Sequence, residues 1–173
     1  MPLDSGNGRG HLGTMTIKTY DIAVVGGGMV GLCLALGLAG AGVRVAVIER
    51  ATLSDMADAG FDGRGSAIAA GSQRILAGLG LWDSLSGDAG PILEIRVADG
   101  DSPLFLHYDH KEIGDDPLGW IVENAVIRRA LARAVSAADT DIFDGTELSA
   151  ADFGTDEAVL DLADGNRISA RLV

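Results

Sequence analysis

The feature that most constrains the fold is a run of three glycines, Gly26 to Gly28, that follows a short apolar segment. That segment, Asp21 to Val25, reads DIAVV and has the character of a strand buried on both faces. Met29 to Ala41 is typical of a helix, which Gly42 closes, and Val43 to Ile48 forms a second apolar strand. Strand, glycine turn, helix and strand in about 30 residues predict a right-handed βαβ unit with parallel strands.

The glycines have the spacing G-x-G-x-x-G, in which each has a physical task. Gly26 makes the tight turn, Gly28 lets a pyrophosphate approach the backbone, and Gly31 lets the helix lie close to the strand. The phosphates would lie at the helix N-terminus, where N–H groups and the helix dipole favour negative charge. The residues predicted to line this site are Gly26, Gly27, Gly28, Met29, Val30 and Gly31.

Glu49 ends the second strand, 18 positions after Gly31. A carboxylate there is expected to accept hydrogen bonds from the ribose hydroxyls of adenosine and to repel a 2′-phosphate, which disfavours NADP at this site. FAD and NAD share the fingerprint, so the glycines alone do not distinguish them.

The rest of the chain shows weaker patterns. The predicted elements are a loop at 51–63, a helix at 66–79 stopped by Gly80, a hairpin of strands 92–98 and 104–108, a helix at 124–137, a return to the parallel sheet at 142–143, and a final hairpin of strands 158–162 and 168–172. In the second helix, Ile68, Ile75, Leu76 and Leu79 are expected on one buried face. In the third helix, Arg128, Arg129 and Arg133 are expected on a solvated face. Asp164-Gly165 is expected to make the turn of the final hairpin.

Composition excludes several classes of function. The 173 residues carry a formal net charge of −12, which argues against nucleic acid as a partner. The single cysteine, Cys33, cannot form an internal disulfide and is expected to be a small buried hydrophobe in the first helix. His107 and His110 have no well-spaced third ligand, so no metal site is predicted. Residues 1–14 are expected to be a flexible tail, and no run reaches the ~20 apolar residues of a membrane span.

Three segments resemble the FAD-dependent aromatic-ring monooxygenases, and within that class the ubiquinone-biosynthesis hydroxylase family. They read DIAVVGGGMVGLCLALGLAGAGVRVAVIER, DGRGSAIAAGSQRILAGLGLWDSL and GWIVENAVIRRALARAV. The resemblance implies an α/β, Rossmann-like FAD-binding fold, in which 15–173 is a partial FAD-binding domain and 91–120 passes into the β-sheet layer of a substrate domain. It also implies a truncated chain, because the family continues with an Asp-Gly motif just beyond a strand like the last one here. The last strand would then leave an unfinished sheet edge.

The resemblance extends the cofactor site by three residues. Arg64 matches an arginine that contacts the flavin nucleotide, Asn124 matches a polar residue near the ribityl–pyrophosphate region, and Arg50 follows the ribose-binding acid. From the residues alone, Asn124 could equally be a helix N-cap, and Arg64 an exposed loop arginine.

The implied activity is hydroxylation of an aromatic ring, that of a polyprenylated phenol, with FAD bound, NAD(P)H as co-substrate and O2 as oxidant. No residue is nominated as a catalytic acid or base. The alternatives are another FAD-dependent oxidoreductase, of the amine or hydroxy-acid oxidase type, and an inactive dinucleotide-binding fragment. The expected location is cytoplasmic, including the inner face of the membrane, where a biosynthetic complex could form.

Overall fold

The structure is a computed structural model that describes residues 17–58, 60–100 and 103–173. The tail predicted at 1–14 lies outside these residues. The strands are β1 Lys18–Val25, β2 Val45–Glu49, β3 Gly65–Ala69, β4 Gly90–Ile92, β5 Glu94–Ala98, β6 Phe105–Asp109, β7 Gly119–Glu123, β8 Asp141–Asp144, β9 Leu148–Phe153, β10 Ala158–Leu162 and β11 Arg167–Leu172. The α-helices are α1 Met29–Gly40, α2 Leu53–Asp58, α3 Ala70–Gly78 and α4 Asn124–Ala137.

A six-stranded sheet with the order β8-β2-β1-β11-β10-β9 organises the molecule. Its first four strands pair in parallel, and β11, β10 and β9 form an antiparallel meander. The predicted α/β fold, with a βαβ unit in a parallel sheet, is therefore confirmed.

Strand β2 shows why the sheet is the centre of the fold. Val45 and Val47 belong to one core together with residues of α1 and α4, whereas Ala46 and Ile48 belong to a second core with residues of the meander. All four side chains are buried, as predicted for a strand covered on both faces.

The final hairpin is confirmed, but its place in the sheet is not the one expected. Gly165 has a φ of +90°, and Asp164 Oδ1 accepts a hydrogen bond from Asn166 N at 2.9 Å, so Asp164-Gly165 is a turn. The prediction that the last strand leaves an unfinished edge is wrong, because β11 pairs with β1 on one side and β10 on the other.

The second helix was predicted too long. Residues 65–69 form β3, which pairs antiparallel with β7, a strand that the sequence patterns did not reveal. The helix α3 begins only at Ala70 and ends at Gly78, with Gly80 at a φ of +71° after it. Leu76 is buried, but Ile75 is 65% exposed, so the expected apolar face is also partly wrong. Pairing with a distant strand outweighed the local helical pattern.

The described residues of 91–120 contain no strand of the six-stranded sheet. The predicted strand 92–98 is divided between β4, in a sheet of order β3-β7-β4, and β5, which forms a two-stranded sheet with β6. That this excursion belongs to a substrate domain stays a prediction. The loop predicted at 51–63 contains the short helix α2, whose Met56 is buried.

Candidate functional site

The glycine turn has the geometry that its spacing predicts. Gly26 has a φ of +108°, a conformation that favours glycine, and its N–H donates to Ile48 O at 2.9 Å. A Cβ on Gly31 would lie 1.9 Å from Gly26 O and 3.3 Å from Val24 Cγ1. Helix α1 therefore approaches β1 more closely than any residue with a side chain at position 31 would allow.

The start of α1 is open. Gly28 is the N-cap, and a Cβ built on it meets no atom of the described residues within 4 Å. The first N–H that bonds back within the helix is that of Leu32, which donates to Gly28 O at 2.9 Å. The N–H groups of Met29, Val30 and Gly31 thus precede the helical hydrogen-bond pattern, and the Val30 side chain is 84% exposed. Such a helix start suits a phosphate group.

Glu49 lies against the glycine turn. Its Oε2 accepts a hydrogen bond from Gly27 N at 2.6 Å, and its Oε1 accepts one from Ala51 N at 2.9 Å. A Cβ on Gly27 would lie 2.8 Å from Glu49 Cβ, so Gly27 has a task of its own, which is to let Glu49 reach the turn. Each carboxylate oxygen has a second lone pair, which remains available for a ribose hydroxyl.

A groove of about 330 Å³ runs beside Glu49. It is lined by Val25, Gly26, Ile48, Glu49, Arg50, Thr146, Glu147 and Leu148. Arg50 lines this groove with an exposed side chain, and its part in cofactor binding stays a prediction.

The residues after β8 are members of this groove that sequence reasoning missed. Thr146 is buried, its N–H donates to Glu49 O at 3.2 Å, and its Oγ1 accepts from Asp164 N at 3.2 Å. A signal for them was present, because a strand was predicted to return to the parallel sheet at 142–143. Residues that follow such a strand lie at the carboxyl edge of the sheet, where Glu49 also lies.

Arg64 lies in a separate loop and pairs with a carboxylate. Its Nη2 donates to Asp62 Oδ2 at 2.8 Å and its Nε donates to the same oxygen at 3.2 Å. Arg128 Nη1 also donates to Asp62 Oδ2, at 3.1 Å. The Arg128 side chain is only 19% exposed, so its assignment to a solvated helix face was wrong. The two guanidinium groups, Arg64's first, hold the pKa of Asp62 at about 2.

Asn124 is a buried residue at the first position of α4. Its Oδ1 accepts from Ser66 Oγ at 2.6 Å, and its backbone N–H donates to Arg64 O at 3.1 Å. The alternative that Asn124 is the N-cap is wrong, because Glu123 is the cap and Asn124 already has helical backbone.

Topology places the two parts of the site at one edge of the sheet. Helix α1 follows β1 and therefore starts at the carboxyl edge of the parallel strands. Helix α4 leads into β8, which is parallel to β2. Because α4 runs back to the amino end of β8, α4 starts toward the carboxyl edge as well. The two helices share one core. The glycine turn contacts Glu49 directly and Arg64 contacts Asn124 directly, but the structure records no hydrogen bond or ion pair between these two groups.

Cys33, His107 and His110 do not line the groove beside Glu49. Cys33 was expected to be buried but is only half-buried against the core, and this burial raises the pKa of its thiol. His107 Nε2 lies 3.2 Å from Glu94 Oε2. Within 17–58, 60–100 and 103–173, no group of three acidic, histidine or cysteine side chains could hold a metal ion. No helix in those ranges is long and apolar enough to cross a membrane.

Known proteins with similar sequences include two hydroxylases. Ubiquinone hydroxylase UbiL of Rhodospirillum rubrum is 44% identical over 157 residues, which cover 90% of this chain and 36% of that protein. The 3-demethoxyubiquinol 3-hydroxylase of Escherichia coli is 41% identical over 125 residues, 71% of this chain and 32% of that protein. The chain thus spans about a third of the length of these relatives, and the predicted resemblance to ubiquinone-biosynthesis hydroxylases is confirmed.

The fold is also similar to that of a solved enzyme. The crystal structure of p-nitrophenol 4-monooxygenase PnpA from Pseudomonas putida superposes with a TM-score of 0.72 at 22% identity, over 90% of this chain and 40% of that one. The model of the FAD binding domain matches residues 19–173. The chain therefore belongs to the FAD-binding domain family.

Proposed function

We propose that this chain is the cofactor-binding part of an FAD- and NAD(P)H-dependent monooxygenase that hydroxylates the ring of a polyprenylated phenol in ubiquinone biosynthesis. The observation that carries the proposal is the start of α1, open at Gly28 and placed directly beside Glu49. The names of the two relatives support the substrate class.

The ADP half of FAD would use residues of both strands of the βαβ unit. The second lone pairs of Glu49 would accept the ribose hydroxyls, and the groove toward Thr146 and Leu148 would take the adenine ring. The N–H groups of Met29, Val30 and Gly31 would bind the pyrophosphate, with Gly28 leaving room for it. The fit depends on an anion meeting backbone dipoles, since the net charge of −12 repels anions at long range.

Bound FAD would supply the redox chemistry, taking electrons from NAD(P)H and activating O2 for transfer to the ring. The part of these residues would be to bind and orient the cofactor. None of the residues at this site is assigned a proton-transfer role.

A binding experiment on the 173-residue chain tests the proposal. FAD, NAD and ADP are titrated into the chain and followed by calorimetry. We expect FAD and ADP to bind more tightly than NAD, and tighter binding of NAD would refute an FAD site. NADH oxidation at background with FAD bound would limit the role of this chain to cofactor binding.

We also propose that the protein acts in the cytoplasm at the inner face of the membrane, because a polyprenylated phenol is concentrated in lipid. Flotation of the protein with vesicles that contain such a phenol tests this. Equal flotation with vesicles lacking the phenol, or no flotation, would contradict recruitment by substrate.

A further inference from the structure

Hydrogen bonds hold the loop that carries Arg64 against the first two turns of α4. Arg128 Nη1 donates a hydrogen bond to Asp62 Oδ2 at 3.1 Å, and Asn124 N donates one to Arg64 O at 3.1 Å. In addition, Ser66 Oγ donates to Asn124 Oδ1 at 2.6 Å. The loop is therefore held on both sides of Arg64.

Within the loop, Asp62 engages Arg64 through both backbone and side chain. Asp62 Oδ1 accepts a hydrogen bond from Arg64 N at 3.1 Å, and this bond closes a turn. Gly63 permits the turn with its φ of +77°. Asp62 Oδ2 accepts from Nε and Nη2 of the same residue. A guanidinium has five N–H donors in a rigid fork, so the Nη1 end and one Nη2 hydrogen remain for another ligand. The Arg64 side chain is 71% exposed, which leaves that end open to solvent.

The Asp62 carboxylate and the Arg128 guanidinium have separate tasks, because they carry opposite charges. Asp62 with Arg64 alone would have no net charge and could attract an anion only through the remaining N–H groups. Arg128 adds a positive charge, so the trio has a net charge of +1 in a chain of net charge −12. The low pKa of Asp62 keeps its carboxylate ionised through the neutral range.

We propose that Asp62 is a positioning residue, which turns the open end of the Arg64 guanidinium toward the cofactor diphosphate, and that Arg128 keeps the pair cationic. The inference rests on the proposed function, because the anion is the diphosphate held at the start of α1. Asp62 would not touch the cofactor.

The test compares ADP with adenosine, which share the nucleoside and differ in the diphosphate. Asp62→Asn removes a negative charge, so charge alone predicts tighter ADP binding, whereas lost positioning predicts weaker binding. We expect ADP to bind about tenfold more weakly at low ionic strength, with adenosine unchanged. Asp156→Asn, which changes the charge equally in the exposed β9–β10 loop, is the matched control and should match the wild type. Unchanged or tighter ADP binding by Asp62→Asn would overturn the proposal.

Arg128 is tested by removal and by rescue. Arg128→Ala should also weaken ADP binding, and Arg128→Lys should restore most of it, because only one Arg128 nitrogen contacts Asp62. Arg133→Ala removes the same charge from an exposed position of α4 and should leave ADP affinity unchanged. Equal losses in Arg128→Ala and Arg133→Ala would mean that only long-range charge acts, which contradicts the assignment.

The wild type separates the two proposals. If the wild type binds ADP no more tightly than adenosine, the phosphate site and the inference that rests on it both fail. If the wild type prefers ADP and Asp62→Asn keeps that preference in full, only the positioning role fails.

Discussion

The glycine turn and the Arg64 loop both present donors suited to phosphate, but they are built in opposite ways. The turn is completed by a contact between Gly27 and Glu49, 22 positions apart in one βαβ unit. The loop is completed by contacts of Ser66 with Asn124 and of Asp62 with Arg128, across 58 and 66 positions. Backbone sterics make the first arrangement, and the packing of α4 makes the second. Variants that remove a packing contact or hydrogen bond of the first region should therefore affect folding and nucleotide binding together, whereas variants in the second should change folding without changing nucleoside binding.

The largest expected effect is that of Gly31→Ala. A methyl group 1.9 Å from Gly26 O cannot be accommodated unless α1 moves away from β1. We expect a loss of about 3 kcal/mol in the free energy of unfolding, measured with urea, and loss of ADP binding.

Gly28→Ala is the matched control for that variant. Its added methyl group meets no described atom within 4 Å, and its φ of −67° suits alanine. It should unfold like the wild type and yet bind ADP more weakly, because the methyl group would point toward the phosphate. Equal stability of the two variants would contradict the close approach of α1 to β1.

The second effect is that of Glu49→Gln. Glutamine has the same shape, but an NH2 group replaces one of the two oxygens, and these oxygens separately accept from Gly27 N and Ala51 N. One N–H would then lack its acceptor, at a cost of about 1 to 2 kcal/mol in unfolding free energy. Adenosine and ADP affinity should fall together, since both ligands contain the ribose. Glu157→Gln, in an exposed loop, is the control, and unchanged adenosine affinity in Glu49→Gln would refute the ribose assignment.

The third effect is that of Asn124→Ala, in the second region. Asn124 is 9% exposed, and its removal leaves the Ser66 hydroxyl without its acceptor, at about 1 to 2 kcal/mol. In contrast to Glu49→Gln, adenosine affinity should stay unchanged. A double-mutant cycle with Ser66→Ala should give a coupling energy of about 1 kcal/mol, and a coupling near zero would show that the contact does not hold the loop.

The smallest effect is a dependence on pH. Asp62 has a pKa of about 2 in the folded chain against an ordinary value of 3.8. Its ion pairs therefore stabilise the fold above pH 3.8, and this stabilisation is lost as the pH falls toward about 2. The unfolding free energy of Asp62→Asn should fall less steeply with acid over that range than that of the wild type. Parallel curves would show that the ion pairs stabilise nothing.

The outcome for individual residues shows how far sequence reasoning reaches. The tasks of Gly26 and Gly31 were predicted, because φ and Cβ clashes depend on a few adjacent residues. The boundaries of α4 were predicted without error, since its apolar positions repeat with helical spacing. Thr146 was missed, although its position after a predicted parallel strand could have indicated it.

The Arg64 region shows where sequence reasoning stops. Residues 66–69 were predicted to be helical, because nothing local reveals that β7 pairs with them. Arg128 was placed on a solvated face, because its partner Asp62 lies in a loop without periodicity.

The sequence by itself determined the βαβ unit, the glycine turn and the acidic residue beside it, because steric limits on the backbone act between near neighbours. Only the tertiary structure decided that β11 lies inside the sheet, that residues 65–69 form a strand and that Asp62 joins two arginines. Each of these depends on hydrogen bonds or ion pairs between segments far apart in the chain, whose partners are chosen only when the helices and sheets pack.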